Sequence, residues 1–148
     1  MKKRLEVEAR ARTAAPAPVV WTMVSDAEQY AVWGPWDASG YESSGGGDGS
    51  GAGAIRWMQL GRTRTVERVL ELEPGRRLAY TVVRGIPVRN YRAEVELVTT
   101  DGATDIHWSA AWDDTLLGRV VHRRLTVFYP EMVRQLAEAA TREATTGG

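Results

Sequence analysis

His107 and His122 are the side chains whose ordinary titration range lies nearest neutral pH, and the chain has no cysteine. Disulfides, thiolate nucleophiles and thiolate metal sites are excluded together. Two histidines far apart in sequence do not make a zinc-type ligand set, so no metal is expected. His107 sits in an alternating stretch in which Thr104, Ile106, Trp108, Ala110 and Trp112 share one parity and Asp105, His107, Ser109 and Asp113 the other. That parity puts His107 on a solvated face. His122 lies among Arg119, Arg123 and Arg124, the spacing of a basic helix stripe that continues to Arg134. No GxSxG motif is present, and no Ser–His–Asp set can be picked out.

Two further patterns can be weighed by context. Gly49-Ser50-Gly51-Ala52-Gly53-Ala54 spells GxGxxA. A phosphate cradle needs a helix N-terminus behind the loop, and Ile55-Arg56-Trp57-Met58 reads as strand. The arginine stripe could meet an anionic partner. With 19 basic against 19 acidic residues, however, the chain has no net field to draw it to nucleic acid or an anionic membrane. A solvated helix face is the simpler reading.

The aromatic residues carry more information. Six Trp and five Tyr stand beside a single Phe, a set that brings large apolar faces with polar handles. Tyr80, Tyr91, Trp108 and Trp112 fall on apolar strand faces, and Phe128 and Met132 on an apolar helix face. These are the candidates to line a cavity. In the segment 53–60, Trp57 shares parity with Ile55, and Arg56 with Met58. Either pair could point inward. An inward Arg56 would be a buried cation needing a carboxylate or a ligand oxyanion.

The elements that must position these residues follow from pattern. Residues 4–13 alternate as a first strand rather than a signal peptide. Pro16 and Pro18 open a short helix over 17–25, and Asp26 can cap a second, stopped by Gly34-Pro35. Seven glycines between Gly40 and Gly53 make a flexible turn between strand-like segments at 38–43 and 53–60. That turn is also a candidate entrance to a cavity. Strands follow over 63–72, 77–84, 89–99 and from 104 onward, with Glu73-Pro74-Gly75 and Asp101-Gly102 as turn signals. From Leu116 the apolar spacing of three and four makes a long helix, which Pro130 should kink or split. No run approaches the roughly 18 apolar residues of a membrane span, so a cytoplasmic location is expected.

In this order the chain resembles the Bet v 1-like superfamily of helix-grip proteins (START or SRPBCC domains), with its polyketide cyclase/dehydrase-like branch the nearest in look. The resemblance rests on the opening strand with Ala15-Pro16-Ala17-Pro18-Val19-Val20-Trp21, and on Tyr30 with Trp33-Gly34-Pro35-Trp36. It also rests on Leu72-Glu73-Pro74-Gly75-Arg76-Arg77-Leu78-Ala79-Tyr80, and on Gly102-Ala103-Thr104 leading into Ile106-His107-Trp108. It implies one α+β domain over residues 1–146: a seven-stranded curved antiparallel sheet around a long C-terminal helix, with two short helices after strand 1. It also implies an internal cavity for a small hydrophobic molecule, aromatic or polyketide-like, in a monomer or weak homodimer with no cofactor. Trp33 matches a position where relatives carry a mouth Trp, and Trp57 belongs to the cavity set if its face is the inner one. Polyketide cyclases use cavity Arg and Tyr groups, for which Tyr80, Tyr91, Arg56 and Arg84 are the candidates here. Binding, cyclase-type catalysis and a co-chaperone-like or toxin-like interaction module are the three readings that follow.

Overall fold

The computed structural model describes residues 3–44 and 51–146. Strand β1 (Arg4–Thr13) leads through Pro16 into α1 (Ala17–Ser25), a single 3-10 turn (Ala27–Gln29) and α2 (Tyr30–Trp33). Then come β2 (Ala38–Ser43), β3 (Ile55–Leu60), β4 (Thr63–Glu73), β5 (Arg77–Arg84), β6 (Arg92–Thr100), β7 (Ala103–Asp113) and α3 (Leu116–Thr146). The strands form one antiparallel sheet in the order β1-β7-β6-β5-β4-β3-β2. This is the helix-grip arrangement expected from the sequence, with α1, α2 and α3 on the inner face.

Local chemistry explains the boundaries. Asp26 Oδ1 accepts from the Glu28 N–H at 3.0 Å, capping the 3-10 turn as its residue type demands. Asp101 and Gly102 both take positive φ (52° and 79°), which gives the tight β6–β7 hairpin its hand. Thr115 Oγ1 accepts from the Gly118 N–H at 2.8 Å and caps the start of α3.

Two sequence expectations shift. β6 begins at Arg92 rather than at 89, because Asn90 turns the chain with φ 54°. Tyr91 therefore precedes the strand, and its carbonyl is held by Thr81 Oγ1 at 2.6 Å. The long helix is not split: α3 runs unbroken with Pro130 inside it. Pro130 and Thr126, whose carbonyl loses its i+4 donor there, both lie on the exposed side, so the lost hydrogen bond falls where water can reach. The Gly-rich segment 45–50, including Gly49 and Ser50 of the GxGxxA pattern, lies outside the described residues.

The core lies between the sheet and α3. Val7, Ala9, Leu78, Val95, Ile106, Trp108 and Trp112 face inward from the strands, and Val133, Leu136 and Ala140 meet them from the helix. Trp112 donates from Nε1 to the Gly118 carbonyl at 3.0 Å, which locks the first turn of α3 onto β7. His122 places Nε2 2.9 Å from the Glu6 carbonyl and its ring against Trp112. It is half-buried and ties α3 to β1, rather than belonging to a solvated stripe.

Candidate functional site

Strand pairing settles the face of β3. Arg56 and Met58 are buried, and Trp57 points to the other side of the sheet beneath the Arg64 guanidinium, 4.1 Å from its ring centre. Register then places Glu67 of β4 directly across from Arg56, and Val82 of β5 across from Glu67. Arg56 Nε donates to Glu67 Oε1 at 3.1 Å and Nη1 to the Val24 carbonyl at 3.2 Å. Nη2 has no hydrogen-bond acceptor among the described residues. The guanidinium is instead sandwiched by the Tyr30 and Tyr80 rings, each with its centre 4.9 Å away. A cation fully out of water is thus balanced by one carboxylate, one carbonyl and two π-faces.

Above this pair a cavity of about 280 Å³ opens between the sheet and α3. Most of its lining is apolar, from Met58, Val82, Trp108, Val121, Leu125, Phe128 and Met132. Its deep end is fully buried, at Tyr30, Tyr80, Trp108 and Met132, whereas Leu60, Thr63 and Arg124 on its rim are exposed. The exposed rim thus lies between the β3–β4 turn and α3.

The buried polar groups of the cavity gather at its deep end. Trp108 Nε1 donates to the Tyr80 hydroxyl at 3.0 Å. The Tyr91 and Tyr129 hydroxyls are hydrogen-bonded to each other, and the Tyr80 ring centre lies 6.4 Å from that of Tyr91. Burial pushes all three phenols well above their ordinary range, and raises Tyr30 to about 12. They are neutral O–H donors at any physiological pH. Glu67 completes the set. Burial raises its carboxyl, against the pull of Arg56. Arg56 itself is held above its ordinary value: burial works against the charge, but Tyr30 and Glu67 outweigh it. Such a set can donate hydrogen bonds to a carbonyl or hydroxyl oxygen and can accept or return a proton at one carboxylate.

A family model described as polyketide cyclase / dehydrase and lipid transport matches residues 4–144. The chain belongs to this family. Among solved structures it is similar to a protein from Thermobifida fusca, at 28% identity over 93% of each chain with a TM-score of 0.75. It is also similar to the ZhuI aromatase/cyclase from Streptomyces sp. R1128, at 18% identity over 99% of each chain with a TM-score of 0.75. A protein from Nitrosospira multiformis follows at 21% identity, covering 97% of this chain and 98% of its own, with a TM-score of 0.69. At their identities the last two likenesses establish the fold alone. Among the curated proteins none matches.

The residues singled out from sequence divide clearly in this polyketide cyclase/dehydrase-family chain. Tyr80, Tyr91, Trp108, Phe128 and Met132 line the cavity. Trp33 and Trp112 do not reach it. Trp33 is packed among Tyr30, Trp36 and Trp108 with Nε1 bonded to the Met23 carbonyl, and Trp112 is stacked on Tyr91. Trp57 is on the outer face, and Arg84, at the exposed end of β5, pairs with Glu42. Arg56 is inward and held between the Tyr30 and Tyr80 rings, and it does not line the cavity. His107 is on the outer face beside Glu8, 2.9 Å from its carboxylate.

Sequence reading missed Glu67, Tyr30, Trp36 and Tyr129. Glu67 was hidden by a bulge. Val66, Leu70 and Leu72 share even parity and make the odd residues look solvated. Register shifts at Val66/Glu67 and Val69/Glu71 put Glu67, Val69 and then Leu72 on the inner side. The available signal was Arg56 itself, since a buried cation demands a carboxylate on a neighbouring strand.

Proposed function

We propose that this protein binds a small, largely apolar, oxygen-bearing molecule, aromatic or polyketide-like, in the cavity between the sheet and α3. One observation carries the reading: an apolar pocket whose buried polar groups gather at its deep end. The hydrogen-bonded Tyr91–Tyr129 pair and the Trp108-bonded Tyr80 would orient a ligand oxygen, while Met58, Val82, Leu125, Phe128 and Met132 would cover the hydrocarbon. The volume of about 280 Å³ equals roughly nine waters at about 30 Å³ each, room for one or two fused rings. Binding would draw on buried apolar surface at about 25 cal/mol per Å².

An enzyme of the aromatase/cyclase kind is the second reading. It is favoured by the same buried polar groups, because such chemistry needs polar groups converging on the substrate. A co-chaperone-like or toxin-like module with a filled core fits less well, since the core leaves room for a guest. The protein would act in the cytoplasm as a monomer or weak homodimer.

Isothermal titration with 2-naphthol tests the binding reading. Wild type should bind one molecule per chain, and Val82→Trp, which fills the cavity, should weaken binding at least tenfold while the circular dichroism spectrum is kept. Equal binding by both proteins, or none by wild type, would sink it.

A further inference from the structure

The Glu67 carboxylate is more than a counter-ion. Arg56 is already surrounded by the Val24 carbonyl and two aromatic faces, and it engages Glu67 through Oε1 alone. Glu67 lines the cavity, and among the described residues no hydrogen bond is made to its other oxygen, Oε2. It is the one carboxylate among the residues lining this cavity. Its charge is felt by Tyr30, Tyr80, Tyr91 and Tyr129. A ligand oxygen held by the phenols would therefore lie with its neighbouring carbon on the carboxylate side of a mostly apolar chamber.

We propose that Glu67 is a proton-transfer group that enolises a small cyclic ketone or 1,3-diketone bound in this cavity. The inference rests on the binding reading above and adds a reaction to it. The bond between hydrogen and the carbon α to the carbonyl breaks, and the proton passes to Glu67. The electron pair becomes the C=C bond of the enolate, whose oxygen accepts hydrogen bonds from the tyrosine hydroxyls. Glu67 then returns the proton, to the same carbon or to a conjugated one, or to the oxygen to leave the enol. The net change is isomerisation, so atoms and electrons balance without oxidant, reductant or co-reactant. Preorganised neutral donors at the developing oxyanion, and a carboxylate partly stripped of water, are what enolisation requires.

The same arrangement separates the parts played by Arg56 and Glu67. Arg56 does not line the cavity, so it acts as a positioning residue: it fixes the Glu67 carboxylate and favours its ionised form. Glu67 is the group with direct access. Tyr91 and Tyr129 are polarised by the hydrogen bond between them, and Tyr80 by the Trp108 N–H it accepts.

The probe is 2-tetralone, a bicyclic ketone with exchangeable α-hydrogens, followed by proton NMR in deuterated buffer at neutral pH. Binding is read in the same samples from shifts of the ligand signals. Wild type should bind the probe and accelerate α-deuteration at least a hundredfold over buffer. Glu67→Gln should keep the binding and lose nearly all of the acceleration, and Glu67→Asp should keep part of it. Tyr80→Phe, with the carboxylate intact, should lower the rate at least tenfold. Bound probe that exchanges no faster than in buffer, or exchange unchanged in Glu67→Gln, overturns the proton-transfer role and leaves the binding reading standing. Failure of the probe to bind wild type overturns both.

Discussion

At the scale of single residues, the buried tyrosines set a sharp pH expectation. Of the five tyrosines, Tyr30, Tyr80, Tyr91 and Tyr129 are buried, and Tyr41 is part-exposed with a more modest rise caused by partial burial. Each buried phenol has a folded-state pKa above its ordinary value of 10.0, with burial as the largest cause. The folded state thus binds these protons more tightly than the unfolded chain. Their contribution to stability is complete below pH 10 and is lost as pH rises from there through the folded-state values. Tyrosinate absorbance should report about one ionising residue in the native protein, Tyr41, at a pH above the ordinary tyrosine value. The remaining four should appear together with loss of the circular dichroism signal. Three or more tyrosines titrating in the folded protein would contradict the buried network. Much of this set was legible in the sequence: alternation placed Tyr80, Tyr91 and Trp108 inward, because side chains of period two must share a face. Glu67 was not, because a bulge changes parity and single-strand alternation carries no record of it.

At the scale of elements, the joint between β7 and α3 decides how the helix lies over the sheet. Gly118 is the third residue of α3 and is buried. Its role is close packing. A Cβ there would come within 2.8 Å of Thr115 Oγ1, 2.9 Å of the Asp113 carbonyl and 3.2 Å of Trp112 Cδ1. Helix propensity alone favours Ala over Gly by about 1 kcal/mol. The clash should reverse that sign, because the Asp113 carbonyl belongs to backbone, which yields less easily than a side chain. Gly118→Ala is therefore expected to lower stability by about 1–3 kcal/mol in urea unfolding, the usual cost of overpacking. A stabilised variant would show that the helix start is free to shift. The long helix itself was readable because its apolar residues recur at three and four. Its continuity through Pro130 was not, since the cost of a proline depends on whether the orphaned carbonyl faces solvent. Tertiary contact likewise overrides local appearance at His122, whose basic neighbours disguised a residue that packs on Trp112.

At the scale of the whole molecule, the fold was more legible than the site. Seven strands and a terminal helix leave one economical way to cover the apolar face of the sheet, and that arrangement is the one observed. Where the cavity ends and the filled core begins was beyond alternation. Trp112 and Trp108 share a strand face, yet the first is buried against the start of α3 and the second reaches the lumen. The helix splits the inner face into a packed half, near β1 and β7, and a hollow half, near β3 to β5. Only three-dimensional placement of α3 makes that division. The hollow half carries the functional claim, and isotope-filtered NOE spectroscopy of the 2-naphthol complex tests it most directly. The account predicts intermolecular NOEs to the methyl groups of Met58, Val82 and Met132 and to the Phe128 ring. NOEs confined to exposed side chains such as Val127 and Leu116, with none to those four residues, would contradict it.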